Sequence, residues 1–172
     1  MAVANTKSAT ITNADASPKV LNDAALERGR KFIATGICEV LAADDDNSVY
    51  RFVRVHSSWK VRSIKIRNDA ITGATSYDCG IYRTAADGGA VVDADLFASA
   101  VDISAGLAGT EIRYEAGTTA VIDYAEKPVW FIADIGAATY TADPDFWYDI
   151  CLTANTVGSA AGTIFLEVEY TA

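Results

Sequence analysis

Apolar and polar residues alternate with a period of two along most of the chain, which marks half-buried β-strands. Eight segments carry the pattern: Ile33–Leu41, Val49–Val55, Trp59–Arg67, Tyr77–Arg83, Thr119–Ala125, Val129–Asp134, Phe146–Thr156 and Thr163–Thr171. Each is rich in β-branched or aromatic residues and is bounded by Gly, Asp, Asn or Ser. Two stretches read as short helices instead. Asp93–Val101 offers an acidic cap and apolar Leu96, Phe97, Ala100 and Val101, and Asn22–Gly29 opens on an asparagine cap and stops on glycine. Strands in this number, joined by long connections, predict an all-β, single-domain sandwich, a jelly roll in preference to an immunoglobulin-like fold, with one or two short helices. Residues 1–28 are poor in large apolar side chains, so they predict an extended N-terminal arm ahead of a sandwich domain at 29–172.

Within this pattern Val49–Arg67, VYRFVRVHSSWKVRSIKIR, stands apart, because it holds six of the chain's 14 basic residues in 19 positions. In VYRFVRV large apolar groups fall on both phases, so neither face is simply wet. In WKVRSIKIR, Trp59 and Val61 share one phase while Ile64 and Ile66 share the other, a change near Ser63 that a β-bulge produces. His56-Ser57-Ser58 supplies a turn between the two runs, and together they predict a β-hairpin. Apolar groups beside charges on a half-covered strand suit a protein interface. That marks Tyr50, Arg51, Phe52, Arg54, Trp59, Lys60, Arg62, Lys65 and Arg67 as candidate partner-binding residues.

Charge sharpens the picture. The formal net charge is −9, yet residues 1–67 sum to +4 and residues 68–172 to −13. Such segregation suits a surface that meets partners by complementary charge, and it also arises where solvated faces simply differ. A basic stripe beside aromatics is the footprint of nucleic-acid binding, but an acidic chain repels phosphate and no RRM, KH or zinc-finger pattern accompanies the stripe, so no nucleic-acid partner is expected.

Other chemistry fades on inspection. His56 is the only histidine, and its adjacent Ser57 and Ser58 are poorly placed by sequence to face it as a nucleophile faces its base; no GxSxG elbow is present. Asp44-Asp45-Asp46-Asn47 resembles the opening of a calcium loop, but Val49 stands where the loop needs glycine and no glutamate closes it, so solvated acids of a hairpin loop are expected. Asp143, Asp145 and Asp149 beside Trp147 and Tyr148 could line a sugar cleft, although Asp-Pro-Asp reads more simply as a turn. Cys38, Cys79 and Cys151 lie far apart in apolar segments and are expected as buried free thiols. The start MAVANTKSAT has no apolar signal region, and VWFIA at 129–133 is far too short to span a bilayer, so no membrane partner is expected. No catalytic residue, metal ligand or cofactor follows from any of these patterns.

Three stretches together resemble a known family: DNSVYRFVRVHSSWKVRSIKIRNDAITGATSYDCGIYR at 46–83, DPDFWYDICLTANT at 143–156 and GTIFLEVEYT at 162–171. In order and spacing they are similar to the head decoration, or cement, proteins of tailed bacteriophages, of jelly-roll type. The likeness covers roughly residues 30–83 and 143–171 and the polar arm. It departs where the family more often begins the His56 turn with proline and follows the Asp-Pro turn with glycine at position 145. The resemblance implies a non-enzymatic virion structural protein on the capsid exterior, made in the host cytoplasm. Its expected partners are the major capsid protein, whose capsomers it would bridge, and further copies of itself as a homo-dimer or homo-trimer. A tail or baseplate structural protein and a carbohydrate-binding β-sandwich are the alternatives.

Overall fold

The computed structural model describes residues 7–21, 30–114, 126–135 and 139–172. The chain forms two compact units, Met1–Arg30 and Lys31–Ala172. In the first, helix α1 (Ala9–Asp15) is capped by Ser8, whose Oγ accepts from the Ile11 N–H at 3.3 Å, and Lys7 pairs with Asp15 at 2.7 Å.

The second unit contains strands β1 (Phe32–Val40), β2 (Val49–His56), β3 (Lys60–Asn68), β4 (Ser76–Arg83), β5 (Val91–Val101), β6 (Ala108–Glu111), β7 (Trp147–Thr156) and β8 (Gly162–Thr171), with one-turn helix α2 (Val129–Ala133) before β7. Two four-stranded sheets result, ordered β1–β8–β3–β6 and β2–β7–β4–β5, and every neighbouring pair is antiparallel. Among the described strands only β4 and β5 are consecutive in one sheet; every other step from one described strand to the next changes sheet. That winding is the jelly roll the strand spacing predicts. The inward phases of both sheets meet in one core, with Ile64, Ile66, Ile164, Leu166 and Val168 from the first facing Val55, Cys79, Ile81, Phe97, Ile150 and Leu152 from the second.

The winding corrects one expectation directly. Val49–Arg67 is not a hairpin, because β2 and β3 belong to opposite sheets. The apolar groups on both phases of VYRFVRV reflect a bulge between Arg51 and Val53 as well as half-covered faces. The bulge expected near Ser63 is present, as a register shift between Val61 and Ser63.

Two elements reverse type. Asp93–Val101 is not a helix but most of β5, whose pairing with β4 jumps from Ile81↔Asp93 to Cys79↔Ala98. The extra residues in that jump bury Leu96, Phe97 and Ala98 in succession, and this cluster imitates a helical stripe. Val129–Asp134 is not a strand; Val129 and Ile132, three residues apart, are the buried positions of α2, which follows Pro128. Strand β6, Ala-Gly-Thr-Glu, has no apolar alternation to betray it. The segments Thr119–Ala125 and Asn22–Gly29 lie outside the described residues. Among the described residues no helix is long and apolar enough to cross a membrane.

Two glycines mark where backbones meet. A Cβ on Gly36 of β1 would stand 2.3 Å from the Phe52 carbonyl oxygen of β2, in the other sheet. A Cβ on Gly80 of β4 would stand 2.0 Å from the Asp93 carbonyl oxygen and 2.4 Å from the Ala94 carbonyl carbon. Both obstacles are main chain, which has no rotamer to escape into. Gly80→Ala is therefore expected to lower unfolding free energy by about 1–3 kcal/mol in urea titration. Gly88→Ala, where a Cβ meets nothing within 4 Å but φ is +88°, should show only the smaller backbone cost of about 1 kcal/mol.

Candidate functional site

Because β2 and β3 part company at the turn, the basic run is distributed over different surfaces. Tyr50 is not on any of them. Its ring is 9% exposed, lies near Tyr77 in the core, and its hydroxyl donates to Asp44 Oδ2 at 2.8 Å. Phe52, at the bulge, packs against the core edge. Three residues apart, Arg51 and Arg54 would point to opposite faces of a regular strand, but the bulge returns them to one face. There they share the carboxylate of Asp149 on β7: Arg54 Nε lies 2.8 Å from Oδ1 and Arg51 Nη1 lies 3.1 Å from Oδ2. Arg51 also donates to the carbonyls of Arg83 and Gly89 and stacks over Tyr82. A shallow cleft of about 280 Å³ opens beside Arg51, Phe52, Val53, Arg54 and Asp149.

Lys65 and Arg67 stand on the outer face of the other sheet. Lys65 reaches Glu167 at 3.7 Å and Glu169 at 3.4 Å on β8, and Arg67 lies over the Phe165 ring. Glu169 also binds Lys31 at 2.9 Å, and the hydrogen bonds from Lys31 and then Lys65 hold its carboxyl below the usual range. Lys60 and Arg62, at the start of β3, are half-exposed. Ser63 Oγ donates to Glu111 on β6, whose other oxygen accepts from the Ile64 N–H at 2.9 Å.

Trp59 belongs to a ladder of rings at one end of the sandwich. It stacks on Tyr170 at 4.4 Å and 5°, meets Trp147 edge-on at 5.5 Å, and Tyr170 stacks in turn on Phe32 at 5.7 Å. His56 closes the far end against Trp147 at 4.9 Å. The Trp59 and Tyr170 faces cover one another, while Trp147 keeps 44% of its surface exposed.

The turn below the ladder is a fixed corner. Ser57 is fully buried; its N–H donates to the Phe146 carbonyl at 2.8 Å, its Oγ donates to Asp143 and accepts from the Phe146 N–H, and its carbonyl accepts from Trp130 of α2 at 3.0 Å. His56 lies between Ser58 Oγ, 2.8 Å from Nδ1, and Asp145, 3.0 Å from Nε2. Those are the residue types of a serine hydrolase triad, and sequence adjacency had concealed their approach. Asp145 is 89% exposed, however, and neither described cleft borders the group. The second cleft, about 300 Å³, is lined by Arg83, Val91, Asp134, Tyr140 and Tyr148 among others.

The acids of the Asp44 run connect two sheets, so their loop is not a hairpin loop. Asp44 accepts from the Leu41 N–H at 2.9 Å and from Tyr50, which lowers its pKa, and Asp46 accepts from the Val157 N–H at 2.9 Å. Among the described residues no three His, Cys, Asp or Glu groups come together as a metal site. Cys79 and Cys151 are buried and Cys38 is half-buried, all as free thiols; burial raises all three, Cys151 to about 12.

No family model matches the chain, and no curated protein sequence matches it. Among solved structures, a chain of the cyanophage Pam1 capsid asymmetric unit is similar with a TM-score of 0.45 and 12% identity, over 91% of this chain and 96% of that one.

Removing Asp149 leaves two guanidiniums without their shared carboxylate, so Asp149→Ala should cost about 2 kcal/mol of stability by chemical denaturation. Trp59→Ala empties the centre of the ladder and should cost about 2–4 kcal/mol in the free protein. Because the Glu169 and Asp44 pKa values are depressed in the folded state, each contributes stability that is present above its unfolded value and is lost as pH falls through the folded one. The melting temperature should therefore hold between pH 7 and 5 and fall below about pH 4. Glu169→Gln should make that fall shallower.

Proposed function

We propose that this chain is a non-enzymatic virion structural protein that binds the outer surface of a phage capsid and stabilises it by bridging capsomers. The observation that carries the reading is where the family resemblance falls in the fold. The resembling segments supply β1–β4, β7 and β8, six of the eight described strands, so the likeness extends over the sandwich framework and not over an isolated loop. The surface supports it. Charged groups are spread over both sheets, with Arg54 on β2 beside exposed Val49 and half-exposed Phe52, and with Arg62, Lys65 and Arg67 on the solvent side of β3, whose apolar side chains are buried, and such basic groups suit carboxylates of a protein partner.

In this reading the partners are the major capsid protein and further copies of the chain, and the segment 1–28 acts as an arm that engages neighbouring capsomers. Many modest contacts act together, because each binding event on the lattice raises the effective concentration for the next. A tail or baseplate position would use the same sandwich.

The test is reconstitution. Capsids stripped of the protein should lose heat resistance and regain it when the purified chain is added back, and labelled chain should decorate the head and not the tail. Lys65→Ala or Arg62→Ala alone should weaken capsid binding about two- to fivefold, as single exposed charges do. Unchanged heat resistance of stripped capsids, or decoration confined to tails, overturns the capsid role. Micromolar DNA binding with a steep salt dependence would instead assign the basic strands to nucleic acid.

A further inference from the structure

Sheet edges expose unpaired N–H and C=O groups, and folded proteins blunt them with short strands, bulges or inserted charges. Among the described strands, three of the four sheet edges are blunted. Strand β6 has four residues, β2 is bulged between Arg51 and Val53 and carries two arginines, and β5 breaks register with β4 three times. Strand β1 is neither short nor bulged, and its one charged residue, Glu39, stands near its end. It runs nine residues in unbroken register with β8, from Phe32↔Tyr170 to Val40↔Gly162, and β8 is its one hydrogen-bonded neighbour strand among the described residues. Its outward phase carries Ile33 and Ile37, 62% and 67% exposed. β2 approaches the opposite, inward phase at Gly36.

The outward phase reads Lys31, Ile33, Thr35, Ile37, Glu39. This order is chemically palindromic about Thr35. Set antiparallel against a second copy with a two-fold axis through Thr35, it places Thr35 opposite Thr35 once, on the axis, and Ile33 opposite Ile37 and Lys31 opposite Glu39 twice each. Sliding the register by one step of two residues sets Lys31 against Ile37 and loses both the apolar and the charge match. We propose that β1 pairs edge to edge with β1 of a second copy in this register, joining two four-stranded sheets into one of eight strands.

The partner is a second copy because β1 itself presents both the matching charges and the matching isoleucines in reverse order. The two-fold operation also closes: each β1 edge is used once, so the product is a dimer and not a fibre. One strand pair makes a small interface, and a dissociation constant in the micromolar range is expected. The inference refines the self-association in the reading above. It is tested on free protein, so its failure leaves capsid binding standing.

Sedimentation velocity of the whole chain should show a monomer–dimer equilibrium. Lys31→Glu and Glu39→Lys each set like charges opposite one another twice per dimer, and each should weaken dimerisation about fivefold or more. Carrying both substitutions restores opposite charges and should return the affinity to within about twofold of the original. Both Lys31→Glu and the double variant lack the internal Lys31–Glu169 pair, so recovery in the double variant reports the intermolecular contact. Thr35→Cys should give a covalent dimer under mild oxidation, whereas Glu39→Cys, far from its symmetry mate, should not. Thermal melts confirm that each variant is folded. A chain that stays monomeric to about 500 μM, forms trimers, shows no recovery in the double variant, or cross-links equally through Glu39→Cys overturns the proposal.

Discussion

The buried corner at Ser57 is the constraint on which the rest of the sandwich turns. A fully buried residue must satisfy every polar group it carries, and Ser57 does so through Asp143, both backbone groups of Phe146, and Trp130. Those partners come from two segments more than seventy residues away along the chain. Meeting them commits the backbone to leave one sheet after His56 and enter the other at Lys60. It also delivers Trp59 between Tyr170 and Trp147, where the ring ladder spans the end of both sheets.

That change of sheet explains why an acidic chain tolerates so dense a basic run. Once β2 lies beside β7 and β3 beside β8, the excess positive charge of one part of the sequence faces the excess negative charge of the other. Asp149 serves Arg51 and Arg54, while Glu167 and Glu169 serve Lys65. The charge segregation along the sequence is thus offset in part across these strand pairs, and the excess of −9 stays on the acidic remainder. These side chains still reach outward, Arg54 with 54% of its side chain exposed although paired.

The fold was legible where period-two alternation was clean. Residues of β3, β4, β7 and β8 announce themselves by Val, Ile, Tyr and Phe on one phase, and even the bulge at Ser63 could be located from its change of phase. It was illegible where the backbone departed from a uniform ladder. The bulges of β5 bring Leu96, Phe97 and Ala98 all inside, which no strand template allows, and α2 is too short for a helical period to separate from alternation. The division of Val49–Arg67 between sheets was hidden because a hairpin turn and a sheet-switching turn use the same residue types. At the candidate site, composition and phase alone single out nine residues. The structure divides them into a core tyrosine, an edge phenylalanine, a ladder tryptophan and charges on separate faces. His56 with Ser58 and Asp145 shows the reverse case, a grouping that spacing argued against and a tight turn made.

The placement of β8 sets the order in which the molecule can come into being. β8 lies between β1 and β3, so Phe32 pairs with Tyr170, 138 residues further along, before the first sheet has continuity. Until β8 is in place, β1 and β3 share no neighbour and their inward isoleucines and valines have no sheet to complete. Such long-range closure makes folding slow. A chain that stops short of β8 would then leave behind not a smaller sandwich but an open one, with the hydrophobic interior of the first sheet divided into unpaired strips.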